Sequence, residues 1–256
     1  MSGLTVNSGD ALYIRGNNPS GFSSSSSDCY NFVIEGDKVS CSGNIMSLID
    51  HETLPDIVPN DYCFCSLFYG CSALTTAPEL PASTLADNCY SYMFSGCSAL
   101  TAAPELPAMT LAYSCYSNMF SECYALITVP ALPATELASD CYDSMFQWCT
   151  SLTSVPALPA TELASDCYSY MFQGCTSLTT APELPAKSLA DWCYAYMFDG
   201  CTSLKTSPEL PATRLADSCY AYMFKDCTSL TSKPELPATE LATDCYLGMF
   251  AGTSLE

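Results

Sequence analysis

A 26-residue period constrains this chain more than any other feature in it. The segment Asp166-Cys167-Tyr168-Ser169-Tyr170-Met171-Phe172-Gln173-Gly174-Cys175-Thr176-Ser177-Leu178-Thr179 recurs with small changes along most of the 256 residues. Copies open at Cys63, Cys89, Cys115, Cys141, Cys167, Cys193, Cys219 and Cys245. An aromatic residue follows each opening cysteine: Phe64 first, then tyrosines from Tyr90 to Tyr246. Met93, Met119, Met145, Met171, Met197, Met223 and Met249 hold the next column, with Leu67 in the first copy, and a phenylalanine follows each. A second cysteine column contains Cys71, Cys97, Cys123, Cys149, Cys175, Cys201 and Cys227. A Pro-x-Leu-Pro connector then leads to a closing Leu-Ala. An unbroken period of this length is the mark of a solenoid, in which each unit packs only against its neighbours.

The pattern inside one copy predicts its local structure. Cysteine, methionine and cysteine at i, i+4 and i+8 share one face of a helix, with the aromatic residues beside them. A short apolar helix of about two turns is expected there. Asp87, Ser139, Ser165, Asp191, Asp217 and Thr243 stand two residues before a cysteine, where a side-chain oxygen can cap such a helix. Tyr113 breaks that pattern, so the third copy should have the weakest start. The prolines of the connector exclude a second helix. Leu178-Thr179-Thr180-Ala181 suits a short strand. The expected fold is an α/β solenoid, a right-handed coil with one short parallel strand and one short helix per turn. It occupies 61–256 as about seven and a half repeats, and 1–60 forms a β-rich N-terminal cap. In that cap, strands are expected at Gly9–Gly16, Tyr30–Ile34 and Lys38–Met46, the last leading into a helical turn at Ser47–Ile49.

Phe172-x-x-Cys175-Thr176-Ser177-Leu178-Thr179, followed by an extended segment ending in proline, resembles the BspA-like leucine-rich repeats of bacterial surface proteins. The unit here looks like a longer version, with Met-Phe in place of Ala-Phe and Pro-x-Leu-Pro in place of Ile-x-Ile-Pro. The likeness covers 63–252, and Gly43-Asn44-Ile45-Met46-Ser47-Leu48 is similar to the segment that leads into such arrays. It implies a leucine-rich-repeat fold and a role in surface adhesion or protein binding, on a bacterial surface or a phage particle.

Composition excludes several functions. Acidic residues number 27 against 7 basic ones, a formal charge of −20, which argues against nucleic acid or anionic membrane as a partner. No apolar run is long enough to span a bilayer. Met1 to Ser8 has neither the basic nor the apolar region of a signal peptide, so either the protein is not secreted by that route or a signal has been removed.

The 18 cysteines admit three states: buried free thiols, disulfides between copies, or metal ligands. The two cysteines of one helix would lie about 12 Å apart and cannot bridge. Neighbouring helices about 8–10 Å apart also disfavour bridges. The core columns Cys89, Cys97, Cys115, Cys123, Cys141, Cys149, Cys167, Cys175, Cys193, Cys201, Cys219 and Cys227 are therefore expected as buried thiols. Cys29, Cys41 and Cys65 fall outside the columns, and a bridge of Cys29 with Cys41 or with another partner at the cap is the first disulfide to expect.

Glu79, Glu105, Glu183, Glu209 and Glu235 form a further column, read as a solvated edge in preference to a calcium ladder. The lone His51 can be set beside Cys63 or Cys65 as a nucleophile pair, but a surface histidine is the simpler expectation. No catalytic, metal or cofactor motif is present, and no enzyme activity is expected. Positions that vary while the core columns hold are expected at the surface. Tyr92, Tyr170, Tyr196 and Tyr222 share one such column with Asn118, Ser144 and Gly248, and Trp148 and Trp192 are singular. These six aromatic residues either pack simply on their neighbours in adjacent turns or form the candidate contact surface for a protein or glycan. A structural spacer, or an array that self-associates through its C-terminal end, is the alternative.

Overall fold

The computed structural model describes residues 7, 9–25, 27–34 and 36–255. The N-terminal stretch read for export signals lies almost wholly outside them. From Cys63 on, the chain winds into eight stacked coils, numbered here by their opening cysteines from Cys63 to Cys245. The helix expected in each coil is replaced by a run of tight turns. Backbone amides alternate in what they do. Cys89, Ser91, Met93, Ser95 and Cys97 donate to the carbonyl three residues back. Asn88, Tyr90, Tyr92, Phe94 and Gly96 donate to carbonyls of the next coil, at Tyr113, Cys115, Ser117, Met119 and Ser121. An α-helix needs every amide to bond four residues back along its own chain. Here half of the donors hold coil to coil.

This arrangement requires one left-handed residue in four. In every coil φ is positive one residue before, three after and seven after the opening cysteine, as at Asn88, Tyr92 and Gly96. Each is the third residue of a turn, the place where a type II turn needs φ above zero. Three of the six side chains expected to cap helices bond instead to the next coil. Asp87 accepts from the Tyr113 amide, Asp191 from Asp217 and Asp217 from Thr243, at 3.0, 3.0 and 2.9 Å.

The ribbon buries the same columns that a helix would. All twelve core-column cysteines and Met93, Met119, Met145, Met171, Met197 and Met223 are fully buried. Tyrosine and phenylalanine stack on their copies in the next coil, with ring centroids 5.3–5.9 Å apart from Phe68 to Phe172. The second cysteine column adds a weak bond: Cys123, Cys149 and Cys175 each donate Sγ–H to the Phe94, Phe120 and Phe146 carbonyl of the preceding coil at 3.2 Å. A thiol fits this column because it fills space as a small hydrophobe and still reaches that oxygen. The Pro-x-Leu-Pro-Ala connectors close the other side of the core, with Leu80, Leu106, Leu132, Leu158, Leu184 and Leu210 buried.

Strand pairing is sparse. Strand β1 (Val39–Ser40) pairs in parallel with β2 (Leu74–Thr76), and elsewhere adjacent coils meet at single parallel bridges such as Thr180 with Thr206 and Ser188 with Arg214. The expected strand thus lies in the right place but contracts to one residue in most coils, because the prolines that follow supply no amide.

Of the strands expected before Cys63, only Val39–Ser40 forms among the described residues, and a 3-10 helix follows at Ile45–Leu48. That region copies the ladder loosely. The Phe22 amide bonds to the Cys63 carbonyl and Phe32 to Leu67, as Phe64 does to Cys89 and Phe68 to Met93. Phe22 and Phe32 rest on Phe64 and Phe68, tilted by 31° and 37° where later pairs are nearly parallel.

Candidate functional site

The left-handed positions form three columns on one face of each ribbon, and all six candidate aromatic residues stand in them. Tyr92, Tyr170, Tyr196 and Tyr222 occupy the middle column, Trp148 the one seven residues after its cysteine, and Trp192 the one before. Their φ values lie between 53° and 61°. Bulky side chains are uncommon there, and the conformation costs about 1–2 kcal/mol for a residue with a Cβ. Elsewhere the same columns hold residues that tolerate it better, such as Gly70, Gly96, Asn88 and Asn118.

Tyr170, Tyr196 and Tyr222 stack at 4.6 and 4.8 Å, closer than any pair in the core. Their rings lean toward the next coil, and Tyr222 lies over Gly248, where a Cβ would overlap its ring. Trp148 lies over Gly174 in the same way. Trp148, Trp192 and Tyr92 remain exposed at 45%, 42% and 42%. Neither the stack nor the core accounts for that exposed aromatic area. Gly174→Ala should therefore lower stability by about 1–2 kcal/mol, from its φ of 71° and its collision with the indole. Since the chain has two tryptophans, a shift in tryptophan emission alongside the urea midpoint checks this directly.

A polar ladder runs beside the aromatic columns, six residues after each cysteine. Gln147 donates to Gln173 at 2.5 Å, Gln173 to Asp199 at 2.8 Å, and Lys225 to Asp199 at 3.4 Å. Asp199 is buried and needs those donors, while Lys225 also reaches Asp226 at 3.2 Å. These positions differ from copy to copy, and the local sequence does not show that they bond to one another.

Asp143, Asp140 and Asp166 form an acidic group at the aromatic face that sequence reasoning missed. Burial pushes the Asp143 carboxyl up to about 7, and the Asp140 and Asp166 charges add to it. Burial, then Asp140 and Asp191, raise Asp166 to about 6. The available signal was that Asp143 replaces the serine of Ser91, Ser117 and Ser169 in its column.

The remaining candidates are placed as follows. The five column glutamates are exposed. His51 donates Nδ1–H to the Gly16 carbonyl at 3.0 Å, and no contact joins it to Cys63 or Cys65. No group of three metal-ligating side chains is present among the described residues. All 18 cysteines are free thiols, and the partner of Cys29 is Cys65 instead of Cys41. Among the described residues no helix is long and apolar enough to cross a membrane.

A profile of the BspA type leucine-rich repeat region matches residues 60–201 and 139–256, with six copies. The chain belongs to the BspA-type leucine-rich-repeat family. No curated protein matches it. Among solved structures it is similar to a leucine-rich repeat protein from Bacteroides ovatus, at 20% identity and a TM-score of 0.36. That match covers 73% of this chain and 55% of the other, so the BspA-type chain described here spans about half the length of that relative. A leucine-rich cell surface protein from Faecalibacterium prausnitzii is similar at 13% identity and a TM-score of 0.22, over 88% of this chain and 95% of the other. At these levels the family rests on the repeat profile and not on the structural likeness.

Proposed function

We propose that this BspA-type array is a non-enzymatic binding module of a bacterial surface or phage particle, and that its left-handed face takes a protein or glycan ligand. One observation carries the reading: Tyr92, Trp148 and Trp192 are held exposed at backbone positions that disfavour them. Strain retained at an exposed aromatic residue points to a use for that residue. Flat rings on a rigid scaffold give contact area at small entropic cost. The parallel coils fix the rings in register, and the surrounding carboxylates favour a neutral or basic partner over an anionic one.

The test uses substitutions that the backbone should welcome. Trp148→Gly, Trp192→Gly and Tyr92→Gly combined should leave the fold intact and weaken capture on glycan arrays and matrix-protein panels at least 10-fold. Equal binding by the triple variant, or no binding by the parent on either panel, would remove support for this face.

Self-association is the second reading. In the eighth coil the amides of Tyr246, Gly248, Phe250 and Gly252 have no acceptor among the described residues, although each earlier coil uses the same four donors. That edge accepts a further coil from any chain, the protein's own continuation included. Light scattering that reports one mass across a wide concentration range would rule out assembly.

A further inference from the structure

We propose that Cys29 and Cys65 are a redox staple that fastens the N-terminal region to the first coil. Their Sγ atoms lie 2.6 Å apart, well inside nonbonded contact for two sulfurs and about 0.6 Å beyond a covalent S–S bond. The pair is unlike every other cysteine in the chain. Cys65 stands two residues after its opening cysteine, where later coils have Ser91, Ser117, Asp143 and Ser169. Cys29 belongs to the loosely copied ladder, between Phe22 and Phe32. The thiols of the second column turn to backbone oxygens, as Cys97 does to Phe68 and Cys123 to Phe94, whereas Cys29 and Cys65 meet each other more closely than Cys29 meets the Ser25 carbonyl, at 3.4 Å, or Cys65 the Ser66 hydroxyl, at 3.6 Å. Cys29 is half-buried and Cys65 buried, so a reagent reaches Cys29 first.

The oxidant is a small disulfide such as oxidised glutathione. The Cys29 sulfur attacks it, forming a mixed disulfide and releasing one molecule of reduced glutathione. The Cys65 sulfur then displaces the second glutathione thiol, and the S–S bond forms within the chain. Two protein thiols are oxidised and one glutathione disulfide is reduced to two thiols, so electrons and protons balance. The staple joins residues 36 apart and closes a loop that contains Phe32, with Phe22 a short way before Cys29, and so restricts their separation from Phe68 and Phe64. In an oxidising setting the exposed end of the core is locked, and in a reducing one it is held by packing alone.

The test treats the full chain with oxidised glutathione at pH 8, then counts thiols after denaturation and maps bridges in a non-reduced digest. The expected result is two fewer than 18 thiols and one cross-linked peptide pair joining Cys29 to Cys65. Cys29→Ser should titrate all of its remaining thiols after the same treatment, and Cys41→Ser should still lose two. Exchange of the Phe22 and Phe32 amides should slow at least 10-fold on oxidation. All 18 thiols remaining free, a bridge mapped to Cys41, or a two-thiol loss in Cys29→Ser would each overturn the staple.

Discussion

Phe146→Ala is expected to destabilise the array by about 3–5 kcal/mol, the usual cost of truncating a buried phenylalanine. Its ring is fully buried and lies 5.7 Å from Phe120 and 5.8 Å from Phe172, so one truncation empties a site shared by three coils. Each lost aromatic pair contributes about 0.5–1.5 kcal/mol of that total. A unit in a solenoid packs only on its neighbours, so the damage should concentrate there. Amides near Phe120, Phe146 and Phe172 should lose exchange protection well before those near Phe224. Phe250→Ala is the internal comparison. Phe250 is half-buried and has one stacked neighbour, Phe224 at 5.7 Å, so less than half the effect is expected. Urea unfolding of both variants measures the ratio. An equal loss at the two sites would mean that the phenylalanine column does not couple the coils.

The second large effect is on pH dependence. Asp143→Asn should stabilise the protein by about 2 kcal/mol at pH 8 and change it little at pH 4. Burial first, then the Asp140 and Asp166 carboxylates, raise the Asp143 carboxyl from 3.8 to about 7, while hydrogen bonds from Ser144 and Ser117 act the other way. Between about pH 4 and 7 the folded chain therefore keeps a proton that the unfolded chain has lost. The unfolded state binds fewer protons, so stability falls as pH rises through that window. At about 1.4 kcal/mol per unit the full shift corresponds to about 4 kcal/mol, and the residual solvent access of Asp143 reduces this to about half. Asparagine keeps the hydrogen-bonding groups and removes the charge. Asp166, itself raised to about 6, leaves a smaller slope in the variant. Urea midpoints at pH 4, 6 and 8 decide the matter. A parent protein more stable at pH 8 than at pH 5 would show that this carboxylate is solvated.

The fold was legible in the sequence where a residue's role depends on its copies. Cys89, Tyr90, Met93, Phe94 and Cys97 repeat every 26 residues, and the repeat alone requires that each packs on its equivalent, as Tyr90 does on Tyr116 and Phe94 on Phe120. The exposed aromatic residues were legible too, because Trp148 and Trp192 vary where the core does not. The helix was misread for a physical reason. Cys-Tyr-x-x-Met-Phe-x-x-Cys has a strict period of four, which fits a 3.6-residue helix for two turns and a chain of four-residue turns equally well. The amide of Tyr92 decides between them by bonding to Ser117, 25 residues away. No window of local sequence contains that bond. The contact of Cys29 with Cys65 and the grouping of Asp140, Asp143 and Asp166 were hidden for the same reason.

The sequence by itself determined the period, the buried columns and the family, because a repeated pattern of apolar side chains has few ways to leave water. Only the tertiary structure decided the path of the backbone between those side chains. Each amide can satisfy itself within its own turn or across to the next coil, and the two options are comparable in energy until neighbouring coils are in place. Stacking made crossing possible for half of them. That choice forced every fourth residue into the left-handed region, and so set Tyr170, Trp148 and Trp192 outward on a single face.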